Sequence, residues 1–193
     1  MRRLFGLGAN PKTFEFKCAD CGALHRGSPS FGYKHPPQYL DVPEEDRAAR
    51  VWLSEDACVI SPAAGEQSGK PDYYIRGILE VPIHGASEPF LWGVWVTQSK
   101  ESFDRYLETF RKDQSDDGSF GWLPVSMPHY RRIGQGEQLE NLRCNVVWQG
   151  QINGRGQRPL IQLQECDHPL FIDQRDGISW ERAIEIARLV MHG

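Results

Sequence analysis

The sequence lacks the segments that would place it in a membrane or direct it out of the cell. No apolar run approaches the roughly 18 residues that a membrane-spanning helix needs. The apolar stretch near the start, residues 4–7, is short and is interrupted by Gly6, so it does not form the core of a secretory signal. We therefore expect no membrane association and a cytoplasmic location.

A strong charge of one sign and the familiar catalytic motifs are also missing. The 22 basic and 26 acidic residues give a formal charge of −4, which argues against nucleic acid as a partner. There is no HExxH helix, no nucleophile elbow, and no glycine-rich turn between a strand and a helix. These absences remove the best-known metalloprotease, serine-hydrolase and nucleotide-binding interpretations.

The composition is that of a folded protein of ordinary size. Hydrophobic residues make up 39% and charged residues 25% of a chain of 193 residues, which is enough for one domain and too short for two. We expect a single domain over residues 1–193. Within it, an irregular proline-containing module over residues 14–40 is expected to lie against an α+β body over residues 41–193.

The strongest local motif is a cysteine pair, Cys18-x-x-Cys21, followed by Gly22 and then by His25. Five cysteines are an odd number without the spacing of a disulfide framework, which favours a reducing compartment and metal binding. Two thiolates separated by two residues can hold one tetrahedral zinc ion from a tight turn, and glycine after the second eases that turn. We predict a structural zinc site, since a closed cysteine-rich site has no open coordination position.

The remaining zinc ligands are not settled by spacing, because a second CxxC is missing from the sequence. His25, His35 and Cys58 are the candidates that could complete the site with Cys18 and Cys21. A redox-active CxxC pair and two ordinary reduced thiols remain as alternative interpretations.

Periodicity predicts an α+β fold with a mostly antiparallel sheet and about three helices. Residues 73–81 and 90–97 alternate as two strands of a long hairpin, and both faces of the second strand are apolar. Ser99 and Ser179 stand where they would cap helices. Further strands are expected at 139–149 and 158–165, and helices at 43–50, 99–111 and 179–191.

A second polar cluster surrounds Asp167 and His168, with Asp173 close behind in the sequence. A carboxylate beside an imidazole suits acid–base chemistry or metal binding, and Arg76 and His84 could lie across a cleft from it. The alternative interpretation is structural, because aspartate, histidine and proline commonly stiffen the connection between a strand and a helix. The structural interpretation is the one we favour for His168.

Several motifs together resemble a bacterial family, the domain of unknown function 2199. They are Cys18-x-x-Cys21-Gly22-x-x-His25, Asp56-x-Cys58, residues 76–85, residues 91–96, residues 120–123, Arg158-Pro159, residues 167–170 and residues 177–179. The resemblance covers nearly the whole chain from about residue 14. It implies one domain and supports Cys58 as a fourth zinc ligand, but it implies no reaction.

The combined expectation is a protein that binds a partner and carries a structural zinc site. Size and acidity suggest a regulatory role, of the kind that small immunity proteins have, with another protein as partner. The competing hypothesis is a metal-dependent hydrolase that uses the Asp167–His168 cluster. The sequence sets neither the oligomeric state nor whether the protein is an enzyme.

Overall fold

The computed structural model describes residues 11–63, 65, 69–110, 112, 117–130, 139–151 and 156–192. Within these residues the chain forms ten strands, four α-helices and two short 3₁₀ helices. The strands are β1 (Glu15–Lys17), β2 (Leu24–Arg26), β3 (Ser30–Gly32), β4 (Val51–Leu53), β5 (Ala57–Ile60), β6 (Asp72–Val81), β7 (Phe90–Gln98), β8 (Gly118–Pro124), β9 (Asn141–Val147) and β10 (Leu160–Leu163). The helices are α1 (Glu44–Arg50), α2 (Lys100–Thr109), α3 (Pro169–Asp176) and α4 (Trp180–His192), and the 3₁₀ helices are Pro37–Asp41 and Pro128–Tyr130.

Five strands close into a barrel, in the order β6, β7, β8, β9, β10 and back to β6. The long hairpin predicted from the sequence is confirmed, since β6 and β7 pair antiparallel over nine residues each. The strand that closes the barrel is β10, which pairs antiparallel with β9 but parallel with β6. The remaining strands of this sheet extend it beyond the barrel: β5 and β4 follow β6, and β3 pairs parallel with β7.

The expected open, mostly antiparallel sheet with about three helices is therefore wrong. The sheet is mixed because β10 pairs parallel with β6 and β3 pairs parallel with β7. It is closed because β8 occupies residues 118–124, where no strand was predicted. Strand β8 contains two glycines and a proline, and its exposed face carries large aromatic residues, so its apolar alternation is weak. A strand that bridges β7 and β9 converts two separate hairpins into a closed barrel.

Alternating side chains of the barrel strands point inward and form one apolar core. Gly77 permits the closure, because a Cβ atom at this position would lie 2.4 Å from Cδ1 of Ile161 on β10. A smaller apolar cluster covers the outer face of β5, β6 and β7. The barrel core includes Ile75, Leu79, Trp92, Val94, Val96, Leu123, Leu142, Cys144, Val146 and Ile161, and the outer cluster comprises Val42, Cys58, Ile60, Tyr74 and Trp95.

The helices agree with the sequence except for one addition. Ser99 and Ser179 cap α2 and α4 as predicted, accepting hydrogen bonds from the backbone N–H groups of Ser102 and Arg182. The additional helix, α3, occupies residues that were expected to be a plain connection. No helix in the described ranges is both long and apolar enough to cross a membrane.

The N-terminal module over residues 14–40 divides between two sheets. Strands β1 and β2 form a small antiparallel hairpin of their own, whereas β3 belongs to the main sheet. The hairpin β1–β2 with its connecting turn, residues 15–26, is called the knuckle below. It lies against the C-terminal helix, where Nε1 of Trp180 donates a hydrogen bond of 3.3 Å to the backbone carbonyl of Glu15.

Candidate metal centre

The knuckle brings three of the predicted zinc ligands together. Cys18 directly follows β1, and its backbone N–H donates to the carbonyl of Ala23, while the N–H of Gly22 donates back to the carbonyl of Cys18. Gly22 has a φ of 70°, the left-handed conformation that glycine adopts most easily, so its place in the motif has a backbone reason. This tight turn directs Cys18 and Cys21 towards His25 on β2.

The fourth member of the cluster is His192, which comes from the far end of the chain. One donor atom from each of Cys18, Cys21, His25 and His192 lies within 4.8 Å of the others. The Cys18 sulfur is 3.2 Å from Nε2 of His192, and the Cys21 sulfur is 3.4 Å from Nε2 of His25. A tetrahedral zinc shell with bonds of about 2.3 Å to sulfur and 2.0 Å to nitrogen separates such atoms by roughly 3.5 Å. The two sulfur–nitrogen distances are close to this separation, and the four donors are compatible with one metal ion.

Neighbouring groups hold the ligands in place. The ring of His25 stacks on Phe16, its cross-strand partner, with centroids 5.1 Å apart. Arg188 donates two hydrogen bonds of 2.8 Å to the carboxylate of Asp20, which lies in the turn between the two cysteines. Arg188 and His192 are four residues apart on α4, so one face of this helix contacts the knuckle at two points.

The electrostatics of the turn favour a thiolate at Cys18. A backbone hydrogen bond from Cys21 lowers the pKa of the Cys18 thiol below its ordinary value, against the opposing effect of burial. The Arg188 guanidinium holds the pKa of the Asp20 carboxyl below its usual range. Metal binding to cysteine requires the thiolate, so a lowered pKa of Cys18 favours metal binding at this turn.

The ligand set determines what such a centre does. Two thiolates and two imidazoles from the protein fill a four-coordinate shell and leave no position for a reacting water, which is the pattern of structural zinc. All five cysteines are free thiols. The CxxC turn leads into strand β2, whereas activated redox CxxC pairs commonly sit at a helix N-terminus.

The structure places the other two candidate ligands elsewhere. Cys58 is fully buried in the outer cluster on β5, and this burial raises its pKa to about 12, which disfavours the thiolate that zinc needs. His35 stacks on Tyr39, and its Nδ1 lies 3.1 Å from the carbonyl of Pro36. Neither residue belongs to the cluster around Cys18, where His192 takes the fourth position.

The residues of the second polar cluster have different partners within the described part of the chain. His168 is 1% exposed and caps α3, where its Nδ1 accepts a hydrogen bond from the N–H of Leu170, whereas Asp167 is exposed. Asp173 accepts hydrogen bonds from Tyr130 and Arg182. His84 lies against the backbone carbonyl of Asp176, 2.8 Å from its Nε2.

The remaining residue named with this cluster, Arg76, lies on β6, where the pairing places it beside β5 and β7. Among the described residues, the only group of three or more metal-ligating side chains is the one around Cys18.

His192 is the one site residue that the sequence analysis missed. It stands in the last turn of the amphipathic helix α4, 167 residues after His25, so no local spacing connects it to the CxxC motif. The only sequence signal for His192 was weak. This histidine follows Arg188 by four residues, on the polar face of a clearly amphipathic helix. Only the packing of α4 on the knuckle makes it a ligand candidate.

The fold and the site define a β-barrel protein with a Cys₂His₂ cluster that is compatible with a metal ion. A family model described as an uncharacterized protein conserved in bacteria, DUF2199, matches residues 17–178. This match covers most of the chain, so the chain belongs to that family, as the sequence motifs indicated. Cys18, Cys21 and His25 lie inside the matched range and His192 lies beyond it. No curated protein and no solved structure matches the chain.

Proposed function

We propose that the protein is a zinc-binding protein in which one structural Zn²⁺ joins the knuckle to the C-terminal helix. Cys18, Cys21, His25 and His192 supply the ligands. The observation that carries the proposal is the mutual distance of the four donor atoms, all within 4.8 Å. Cys18 and Cys21 belong to the turn of the knuckle, and His25 lies on β2. His192 follows His25 by 167 residues, so local chain geometry alone does not bring the four residues together.

The energetic argument is that the knuckle needs such a link. A two-stranded hairpin is at best marginally stable in water. The exposed ion pairs at this end, Arg26 with Glu15 and Arg188 with Asp20, contribute little because water screens them. Structural zinc contributes on the order of 10 kcal/mol in small zinc-binding domains. A zinc ion therefore supplies the stability that the small apolar contacts of the knuckle do not.

Metal analysis of protein purified without chelator tests the proposal. We expect about one zinc per chain, and loss of zinc in Cys18→Ser and in His192→Ala. His35→Ala is the matched control, because His35 is a histidine of the same N-terminal region outside the cluster, and it should keep its zinc. Metal-free wild-type protein, or undiminished zinc affinity in His192→Ala, would contradict the proposed ligand set.

We infer that the zinc-linked body acts in the cytoplasm as a binding or regulatory domain for another protein, and not as an enzyme. Support for binding comes from β4, the terminal strand of the main sheet, which exposes 51% of Trp52 and 40% of Leu53. A terminal strand with exposed apolar side chains can pair with an extended segment of a partner.

The partner proposal has its own experiment. The wild-type protein and Trp52→Asp are used as matched baits, and Leu189→Asp serves as the control because Leu189 is equally exposed but lies on α4. A partner retained by the wild type and the control but lost by Trp52→Asp supports binding at β4. Identical retention by all three baits contradicts it.

A further inference from the structure

Arg76 is a partly buried cation whose Nε has no hydrogen-bond partner among the described residues. It follows Ile75, which points into the barrel core, so its side chain lies on the outer face of β6 and is only partly exposed. Its Nε is buried and has no hydrogen-bond partner. Within the described residues, the Arg76 guanidinium makes no hydrogen bond and no ion pair, although burying a charge without a partner is unfavourable.

Two glycines make room for this guanidinium. Gly32 on β3 is paired with Gly93 on β7, and both lie on the outer face across which Arg76 extends. A Cβ atom at position 32 would lie 2.6 Å from Nη2 of Arg76, and one at position 93 would lie 3.5 Å from it. The absence of side chains at both positions lets the planar group rest close to the sheet.

The nearest acidic groups are already engaged. Asp56 and Glu55 accept hydrogen bonds of 2.5 and 2.7 Å from Arg158. Burial and then the positive charge of Arg158 lower the pKa of Arg76, although the Asp56 and Glu55 carboxylates act in the opposite direction. The guanidinium is therefore partly desolvated, and among the described residues no carboxylate pairs with it directly.

We propose that Arg76 anchors a binding site for an oxyanion, the carboxylate or phosphate group of a small ligand, on the outer face of the sheet. A guanidinium presents two parallel N–H donors that match both groups, and partial desolvation strengthens the hydrogen bonds that it makes to them. This site shares no residue with the zinc cluster, so a test of anion binding does not depend on whether the protein binds zinc.

Thermal unfolding of the zinc-loaded protein with added anions tests this site. The protein is melted in sodium chloride, in sodium phosphate and in sodium succinate at equal ionic strength. At roughly ten times the dissociation constant of a bound anion, the Tm should rise by about 3 °C or more above the value in chloride. A rise with phosphate alone or with succinate alone identifies the class of oxyanion.

Matched variants separate specific binding from the general stabilisation that phosphate gives by exclusion from protein surfaces. Arg76→Gln and Gly32→Ala should both lose the anion-dependent rise, the second because its Cβ displaces the guanidinium. In chloride, Arg76→Gln should melt no lower than the wild type, since it removes an unpaired charge. Arg175→Gln, which removes an exposed and paired arginine, should keep the rise. No rise in the wild type, or the same rise in Arg76→Gln, would overturn the proposal.

Discussion

The knuckle and the barrel differ in the kind of side chain that each one buries. Every barrel strand contributes fully buried apolar residues such as Leu79, Trp92 and Cys144, and the strands support one another around a closed ring. The knuckle buries little more than Phe16 and Cys18, and most of its other side chains are exposed or half-buried. One end of the molecule is stabilised by apolar burial, whereas the other depends on a few specific links to α4.

This difference explains how two cysteine environments arise in one chain. A cysteine within a closed apolar barrel behaves as a small hydrophobic residue. A cysteine in a tight turn, with backbone N–H groups and a histidine beside it, becomes a metal-ligand candidate. The surroundings of each cysteine determine its chemistry, and the rate at which its thiol reacts with a labelling reagent measures this difference.

The largest expected effect is on thiol labelling. Burial raises the pKa of Cys144 to about 12, against an ordinary value near 8.5. After treatment with a chelator to remove any bound metal, Cys144 should react with a thiol reagent at pH 8 at least about 1,000-fold more slowly than the exposed Cys21. Mass spectrometry of the labelled peptides gives both rates. Fast labelling of Cys144 in the folded protein would mean that β9 is shifted by one residue and that the barrel is assigned wrongly.

A core substitution tests whether burial dominates in the barrel. Trp92→Ala should lower the free energy of unfolding by about 3–5 kcal/mol, because it leaves a large cavity in the apolar core. Leu24→Ala is the matched change in the knuckle, where the side chain is 61% exposed, and should cost less than about 0.5 kcal/mol. Urea unfolding, monitored by far-ultraviolet circular dichroism so that the signal does not depend on tryptophan, measures both losses. If both variants lost the same free energy of unfolding, apolar burial would not distinguish the barrel from the knuckle.

A smaller effect than that of Trp92→Ala is expected at His168, which is buried. His168→Ala should cost about 1–3 kcal/mol, through the lost cap of α3 and a small cavity. His168→Asn should recover part of the loss, because asparagine is also a good N-cap. Thermal melts of the three proteins give the order. Unchanged stability in His168→Ala would instead favour the hydrolase hypothesis, in which this histidine serves chemistry.

Local patterns identified much of the secondary structure but not the closure of the sheet. The β6–β7 hairpin and the serine caps are visible because alternation and capping act between residues that are close in sequence. The parallel pairing of β10 with β6 joins segments about 80 residues apart. In β8 the alternation of apolar and polar residues is too weak to predict a strand. Helix α3 was missed because His168, an unusual cap, begins it.

The sequence by itself determined the local half of the candidate site. Cys18, Cys21 and Gly22 lie in one tight turn and His25 follows on the next strand of the same hairpin, so short-range backbone geometry suffices to bring these side chains together. The tertiary structure decided the rest. It brought His192 to the turn, enclosed Cys58 in an apolar cluster and left Nε of Arg76 without a hydrogen-bond partner among the described residues. Each of these outcomes depends on which distant surfaces are buried together, and the pattern of neighbouring residues carries no information about that.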